Sequence, residues 1–364
     1  MKISAVTNYL ESLAPLSSQE GYDNSGMIVG DKEKELTKAL ISLDCTEEII
    51  EEAIQNGCNL IIAHHPIVFK GLKSFTGKNY VERTVISAIK NDIAIYAIHT
   101  NLDNYRGGVN KKISDKLGIK NPKVLSPSKD TLSKISVFCP VANTNDVKNA
   151  MFQAGAGNIG EYSHCSFSAG GEGTFMASEN ANPYVGNKNE VHKEEEVKIE
   201  VIASNHKLSK ILNALLEAHP YEEVAYDIYP LANINKYEGA GMYGDLESPI
   251  NTEDFLQNLK KSFNCGVIRH TAILKDSISR VAWCGGSGSF LLSNAKRVNA
   301  DIYITGDFKY HEFFDAENQI LIADIGHYES EQFTSELIAE LCAENFTNFA
   351  AYLSKTNTNP IKYL

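Results

Sequence analysis

The sequence lacks long apolar segments. No run approaches the roughly 20 consecutive apolar residues that a membrane-spanning helix requires, although 43% of the 364 residues are hydrophobic. The first stretch, MKISAVTNYLESLAP, also lacks the continuous apolar region of a secretory signal, because Glu11 and Pro15 interrupt it. We therefore expect no membrane role and interpret the first segment as an amphipathic helix.

Cysteine pairs are absent as well. The seven cysteines are odd in number and include no Cys-x-x-Cys pair, which argues against both a disulfide framework and a thiolate zinc site. This usage predicts the reducing cytoplasm as the compartment.

Excess positive charge is also missing, since 34 Lys and Arg stand against 46 Asp and Glu, for a net charge of −12. Such a surface repels nucleic-acid phosphates. We therefore do not expect a nucleic-acid partner, and metal cations are the partners that this charge favours.

The usual phosphate-binding fingerprints are not found either. The glycine-rich stretch CGGSGSF, Cys284 to Phe290, has the spacing of neither the P-loop nor the dinucleotide motif. Two interpretations stay open for Gly285–Gly288. Their backbone amides could cradle a phosphate, or the chain makes a tight turn there that needs glycine at positive φ.

What the sequence does contain is an alternation of strands and helices. A length of 364 residues indicates two or three domains. Residues 39–130 alternate apolar strands such as NLIIA with helical segments, which predicts a parallel sheet with ligands beyond the carboxyl ends of its strands. Residues 281–345 repeat this order, with a helix expected around His311 and a long helix from about His327.

The pattern changes between these regions. Residues 131–236 read strand, helix, strand, strand, helix, strand, with YSHCSFSAGGEGTFMA as a glycine-interrupted strand pair, and this order predicts a ferredoxin-like insert. The expected fold class is thus α/β, with two parallel-sheet units forming one core that an α+β insert interrupts. The expected domains are residues 1–130, 131–236 and 237–364.

Candidate metal ligands follow three of the predicted strands. His64 and His65 end NLIIAHHP, Asp103 ends HTNLD, and His327 and Glu331 lie four residues apart on a predicted helix, which places both on one face. These three imidazoles and two carboxylates are more ligands than one catalytic ion with an open coordination position binds, but the number suits two ions that share a carboxylate. Adjacent strand residues point to opposite faces, so both histidines can serve only if the strand end bends.

Three further residues have less certain roles. His99 opens HTNLD and is either a ligand or a residue that holds a ligand by a hydrogen bond. Asp307 and His311 lie four residues apart on a predicted helix just after a strand, so they are our candidates for acid–base catalysis or substrate binding. Capping and core packing explain this last pair almost as well.

The motifs EGYDNSGMIVG, AHHP, HTNLD, GGSGSF, TGDFKYHEFFDA and DIGHYESE, in this order, resemble the family named for an NGG-interacting factor, whose members are also called GTP cyclohydrolase type 2 homologues. The resemblance covers residues 1 to about 130 and about 237 to the C-terminus. The insert, which ends in AHPYEEVAYDIYPL, resembles the PII/CutA-like domain of the longer bacterial members.

This resemblance implies a dinuclear site in which Glu331 bridges the ions held by His64, His65, Asp103 and His327. It also implies a ring-shaped homohexamer, which trimeric PII-like domains would make a dimer of trimers, with the sites facing an internal cavity. We expect two divalent ions per chain. Zinc is the first expectation, with iron or manganese as alternatives, since imidazole and carboxylate ligands suit all three.

The function expected from these features is a metal-dependent hydrolase of a nucleotide or related small molecule, similar to a GTP cyclohydrolase. The alternative is a non-catalytic metal-binding regulatory assembly in which the PII-like domain senses a ligand. A transcription adaptor, which the family name suggests, is not expected, because the chain is acidic and carries no recognised DNA-reading module.

Overall fold

The structure, a computed structural model, describes residues 1–346 and 350–364. The chain divides into two compact units, which we call the core unit, Met1–Pro127 with Lys236–Leu364, and the inserted unit, Ser128–Asn235. Each unit builds its own sheets and its own apolar core.

The first part of the chain, up to the inserted unit, forms five helices and five strands. In order they are α1 (Ile3–Leu13), β1 (Gly26–Val29), β2 (Ala39–Ser42), α2 (Glu47–Asn56), β3 (Leu60–Ala63), α3 (Tyr80–Lys90), β4 (Ala94–Ala97), α4 (Thr100–Asn104), α5 (Val109–Leu117) and β5 (Lys123–Ser128).

The inserted unit follows with four strands and two helices. They are β6 (Leu132–Pro140), α6 (Thr144–Gln153), β7 (Ser166–Met176), β8 (Val191–Ser204), α7 (Leu208–Ala218) and β9 (Tyr226–Pro230).

The chain then completes the core unit. The remaining elements are β10 (Asn235–Asn251), α8 (Thr252–Ser262), β11 (Arg269–His270), β12 (Ser277–Ser287), α9 (Leu292–Arg297), β13 (Ile302–Gly306), β14 (Leu321–Asp324), α10 (His327–Glu331), α11 (Thr334–Asn345) and β15 (Ala351–Leu353).

The core unit contains two sheets. The first has the strand order β1-β4-β3-β2-β15, in which β2, β3, β4 and β15 are parallel and β1 is antiparallel. The second has the order β11-β14-β13-β12-β10-β5, in which β12, β13 and β14 are parallel, while β11 and β10 pair antiparallel with their neighbours. The parallel sheets that the alternation predicts are therefore present in both parts of the core unit, and the predicted α/β fold class is confirmed.

Strand β3 shows why these strands are apolar throughout. Its side chains alternate between two apolar clusters: Leu60 and Ile62 pack into the core that both sheets share, whereas Ile61 and Ala63 pack on the opposite face among residues of α2 and α3. Parallel strands covered on both faces need this continuous apolar run. The strand is thereby fixed on both sides, and so is the position of the residues that follow it.

Three predicted elements differ from the structure. The long C-terminal helix is interrupted between Glu331, where α10 ends, and Thr334, where α11 begins; in this break the side-chain amide of Gln332 donates to the carbonyl oxygens of Phe263 and Glu329. The segment around His311 is a 3₁₀ helix, Tyr310–Ala316, and it does not include Asp307. The expected strand pair is the single strand β7, whose glycines pair with β8 without a break.

The inserted unit has the strand order β7-β8-β6-β9, with all neighbouring strands antiparallel. Its apolar cluster joins β6 and β8 to α6 and α7. This order and the strand-helix-strand-strand-helix-strand sequence are those of the ferredoxin-like motif. Over the described parts of the chain, no helix combines the length and apolar character that crossing a bilayer requires.

We expect the core unit to fold without the inserted unit. Strands β5 and β10, which lead into and out of the insert, are neighbours in the second sheet, so a short Gly/Ser linker in place of residues 129–234 joins chain ends that already lie close. The deletion variant should retain cooperative thermal unfolding and the near-UV circular dichroism of its buried Trp283. A variant that is soluble but lacks both signals would show that the core unit depends on the insert.

Candidate metal centre

The adjacent histidines His64 and His65 follow β3, where the chain leaves regular strand geometry. Their amides donate to the carbonyl oxygens of Ser42 and Leu43, at 3.2 and 2.9 Å. In a regular strand, successive amides point to opposite sides; here two consecutive amides bond to the same neighbouring segment. The strand end bends as the two-histidine hypothesis requires, and the ring centroids lie 4.9 Å apart.

The ring of His64 is fully buried. Its Nδ1 lies 2.8 Å from the carbonyl oxygen of Ile98, and because a carbonyl only accepts, Nδ1 donates in this bond and Nε2 is the ring atom that can bind an ion. Nε2 lies 3.7 Å from Oδ1 of Asp103 and 3.8 Å from Oε1 of Glu331. Among the described residues, neither Nε2 of His64 nor Oδ1 of Asp103 has a hydrogen-bond partner. Two buried, unpartnered metal-ligating atoms facing each other fit a cation between them.

A second group of ligand atoms lies on the other side of Glu331. Oε2 of Glu331 is 3.0 Å from Nε2 of His65 and 3.1 Å from Nε2 of His327, and these two nitrogens are 3.3 Å apart. Ligands at 2.0–2.2 Å from one ion are separated by about 3–3.5 Å. The second group already has this spacing, and in the first group Nε2 of His64 is only a few tenths of an ångström too far from each carboxylate oxygen.

Glu331 therefore belongs to both ligand groups, His64–Asp103–Glu331 and His65–His327–Glu331. Its side chain is only 3% exposed. The glycine-rich turn makes room for it: Gly286 has φ +62°, and a Cβ there would overlap Oε1 of Glu331. Buried imidazole and carboxylate groups in this arrangement can hold a metal ion.

The glycine-rich turn uses two of its amides inside the protein. Gly285 donates to the side-chain oxygen of Asn110 at 3.1 Å, and Gly286 donates to the hydroxyl of Ser330 at 2.9 Å. Together with the positive φ of Gly286, these bonds favour the tight-turn interpretation over the phosphate cradle.

His99 also lies beside the cluster. Its ring centroid is 5.2 Å from those of both His64 and His65, and its ligand atom can join theirs around one ion. Its Nδ1 lies 2.7 Å from Oδ1 of Asp23, which accepts the hydrogen bond. The arrangement leaves Nε2 of His99 available, so His99 stays a candidate ligand.

Asp307 and His311 have different surroundings from those expected. Asp307 has φ +60° and precedes the 3₁₀ helix, so the two residues do not share a helix face. Oδ2 of Asp307 lies 2.7 Å from Nδ1 of His327 and accepts a hydrogen bond from it. His311 is exposed and packs against Tyr310 and Phe314. The structure thus brings Asp307 to the cluster as a partner of His327, and it does not bring His311 there.

Sequence reasoning missed Asp44, which follows β2. Its Oδ1 lies 2.8 Å from Nδ1 of His65, and its Oδ2 accepts from the hydroxyl of Thr358 near the C-terminus. The carboxylate thus fixes the ring so that Nε2 faces Glu331. The only available signal was its position at the end of an apolar strand, the same signal that identified His64 and His65.

The charges of the cluster compensate one another. Burial raises the pKa of Asp103 to about 7, and the nearby Glu331 adds to this shift. Burial also opposes the charge of Glu331, but the imidazoles of His327 and His65 outweigh it and hold the pKa of Glu331 well below its usual range. Despite burial, neighbouring carboxylates raise the pKa of His65 to about 9 and that of His327 to about 11.

A cavity of about 620 Å³ opens beside the cluster. Cluster residues His65, Asp103, His327 and Glu331 form part of its wall. The remaining wall includes the glycine-rich turn and C-terminal residues 358–361. The candidate metal centre is thus reachable by a small molecule. His311 is not among the described residues that line it.

Comparison with known proteins agrees with the resemblance seen in the motifs. The model of the Duf34/NIF3 (NGG1p interacting factor 3) family matches residues 1–360. The chain belongs to the Duf34/NIF3 family.

Relatives in this family match along their whole length. A Halalkalibacterium halodurans protein called GTP cyclohydrolase 1 type 2 homolog is 38% identical over 372 aligned positions, covering 100% of both chains. A Bacillus subtilis protein of the same name is 34% identical, covering 99% of this chain and 98% of the relative. The crystal structure of a Bacillus cereus protein related to NIF3 has a TM-score of 0.88 at 36% identity, covering 100% of this chain and 99% of that one.

Replacing Glu331 by Gln should remove most of the bound metal, because Glu331 is shared by both ligand groups and the amide carries no negative charge. Metal content per chain is measured by mass spectrometry after exhaustive dialysis. Glu329→Gln is the matched control: Glu329 is a buried carboxylate on the same short helix, and its Oε1 accepts from Asn359. Equal metal content in Glu331→Gln and wild type would contradict the ligand assignment.

Metal binding should release protons and strengthen as the pH rises. His65, with a pKa of about 9, and His327, with a pKa of about 11, are protonated at neutral pH, and an ion bound at Nε2 must displace those protons. We expect roughly two protons released per chain at pH 7.5. Calorimetry in two buffers of different protonation enthalpy counts them, and a count of zero would contradict the assignment of these imidazoles as ligands.

Proposed function

We propose that this protein is a metal-dependent hydrolase of a nucleotide or related small molecule, with two divalent ions that share Glu331. The observation that carries the proposal is the position of this carboxylate. Oε1 faces His64, and Oε2 faces His65 and His327. A carboxylate with a separate ligand group at each oxygen is suited to bridge two ions.

Zinc is the first ion to test, with iron and manganese as alternatives, because imidazole and carboxylate ligands suit all three. When bound, a pair of such ions generates hydroxide near neutral pH and polarises the bond that is attacked.

Hydrogen bonds within the protein orient the histidine rings of the cluster. The Ile98 carbonyl and the carboxylates of Asp44 and Asp307 each accept a hydrogen bond from an Nδ1. All three bonds leave an Nε2 directed at the cluster, so each ring is oriented to bind an ion through Nε2 when that nitrogen carries no proton. The same bonds limit ring rotation, so the ligand atoms keep their mutual spacing.

The cavity supports an enzyme over a purely structural site. Structural metal sites close their coordination with protein ligands, whereas catalytic sites keep a position open toward substrate. Here the cluster borders a space of about 620 Å³, within the usual size range of small-molecule sites. The relatives named GTP cyclohydrolase 1 type 2 homolog direct the search toward purine compounds.

Three expectations from the sequence are not needed for this proposal. The homohexamer and the PII/CutA-like character of the inserted unit stay predictions. Proton transfer by His311 is not included in the mechanism, because that side chain is exposed and lies outside the cavity lining.

The test is a substrate screen with defined metal loading. Protein loaded with zinc, manganese or ferrous iron is incubated with purine nucleosides and nucleotides, and ring opening or phosphate release is followed by absorbance and chromatography. Activity should fall at least about 100-fold in Glu331→Gln and be retained in Glu329→Gln. Turnover that is equal in metal-loaded, metal-free and Glu331→Gln protein would overturn the proposal.

A further inference from the structure

We infer that the cavity beside the metal centre binds an uncharged planar heterocycle, of the nucleobase or nucleoside class, in preference to a nucleoside triphosphate. The inference rests on the proposed hydrolase function and narrows its substrate class. Four features of the cavity wall support it. They are exposed aromatic side chains, the absence of lysine and arginine among the described lining residues, backbone amides that already donate within the protein, and a carboxylate held in place by a hydrogen bond.

Exposed aromatic side chains line the cavity. Tyr22, Phe69, Tyr80 and Phe290 are 67, 48, 59 and 62% exposed, and all four belong to its wall. Aromatic rings are normally buried, so several exposed ones around a single cavity indicate a binding surface. Flat rings offer a stacking face to any nucleobase.

One of these rings connects the aromatic wall to the metal centre. Phe69 packs edge-on against His99, with centroids 5.5 Å apart and planes at 89°. His99 in turn lies 5.2 Å from His65. A ring stacked on Phe69 would therefore lie close to His99 and His65.

The charge of the wall disfavours a polyphosphate. Among the described residues that line the cavity there is no lysine or arginine, whereas four carboxylates are present: Glu20, Asp44, Asp103 and Glu331. Phosphate groups are usually held by arginine or lysine. Two divalent ions would balance these four carboxylates and leave no surplus positive charge for a triphosphate.

The backbone amides of Gly285 and Gly286 do not take the place of lysine or arginine as phosphate-binding groups. These amides already donate to Asn110 and Ser330. A phosphate would have to displace both bonds and disturb the turn that packs against Glu331. The glycine-rich turn thus has a structural role in the metal centre, because it packs against Glu331 and its two amides are already hydrogen-bonded.

Glu20 offers a specific contact for a heterocycle. Its Oε1 accepts from Nδ2 of Asn104 at 3.1 Å, which fixes the carboxylate at the cavity wall. A positioned carboxylate accepts hydrogen bonds from ring N–H and exocyclic amino groups. It repels phosphate, so the same side chain selects for the base and against the triphosphate.

The test compares nucleosides with their own triphosphates on metal-loaded, full-length protein. Binding of guanosine, inosine and adenosine, and of GTP, ITP and ATP, is measured by calorimetry at low and high salt. We expect a Kd below about 1 mM for at least one nucleoside, little change with salt, and weaker binding of each triphosphate than of its nucleoside. A triphosphate that binds as tightly as its nucleoside or more tightly, or no binding by any of the three nucleosides, would overturn the inference.

A variant pair tests the aromatic wall. Phe290→Ala should weaken nucleoside binding about tenfold or more, with metal content unchanged. Phe314→Ala is the matched control, because Phe314 is similarly exposed, at 65%, and lies outside the described lining of the cavity. Equal nucleoside affinity in Phe290→Ala and wild type would overturn the stacking role.

These measurements separate the inference from the proposed function. If nucleosides bind as expected and no product forms with any metal, the hydrolase proposal fails and the ligand class stands. If turnover is found only with triphosphates, the hydrolase proposal stands and the inference fails.

Discussion

The burial of the Glu331 carboxylate is the constraint on which the core unit's site depends. Removing a carboxylate from water without compensation costs several kcal/mol, and Glu331 is 3% exposed. Compensation comes from the imidazoles of His65 and His327, which both lie beside Oε2, whereas Oε1 faces Nε2 of His64. The close packing also requires a residue without a side chain at Gly286, since any Cβ would overlap Oε1. The end of β3 in the first sheet and the ends of β12 and β14 in the second sheet therefore have to lie together around Glu331.

The hydrogen bonds behind the imidazoles extend this constraint into the sheets. Asp44 follows β2, the Ile98 carbonyl follows β4, and Asp307 follows β13. Each holds the Nδ1 of a different histidine, so the direction of every Nε2 is set by a neighbouring strand in a parallel sheet. Because the strands are buried on both faces, they cannot shift without opening the core. The positions of the candidate ligand atoms are therefore fixed by the packing of apolar strands, which contain none of the ligands themselves.

The sequence predicted the parts of this arrangement that depend on local pattern. Apolar runs such as NLIIA identified the parallel strands, and polar residues at their ends identified His64, His65 and Asp103. Long-range features were not predictable. Strand β15 pairs with β2, more than 300 positions earlier in the chain, and no periodicity encodes that partner. The role of Asp307 was also missed, because a hydrogen bond to His327 depends on the turn after β13 and on its positive φ, whereas residue spacing suggested a shared helix face with His311.

The cluster joins regions that are remote in sequence, and this has a thermodynamic consequence. His65 and Glu331 are 266 residues apart, and the inserted unit lies between them in the chain. In the unfolded chain these ligands are separated by a long loop whose closure opposes any preformed site. An ion that binds only the folded arrangement stabilises it by about 2.7 kcal/mol at a free concentration one hundred times its Kd. An ion bound at this site would therefore act on both parts of the core unit at once, so that the two sheets that meet at Glu331 gain stability together rather than separately.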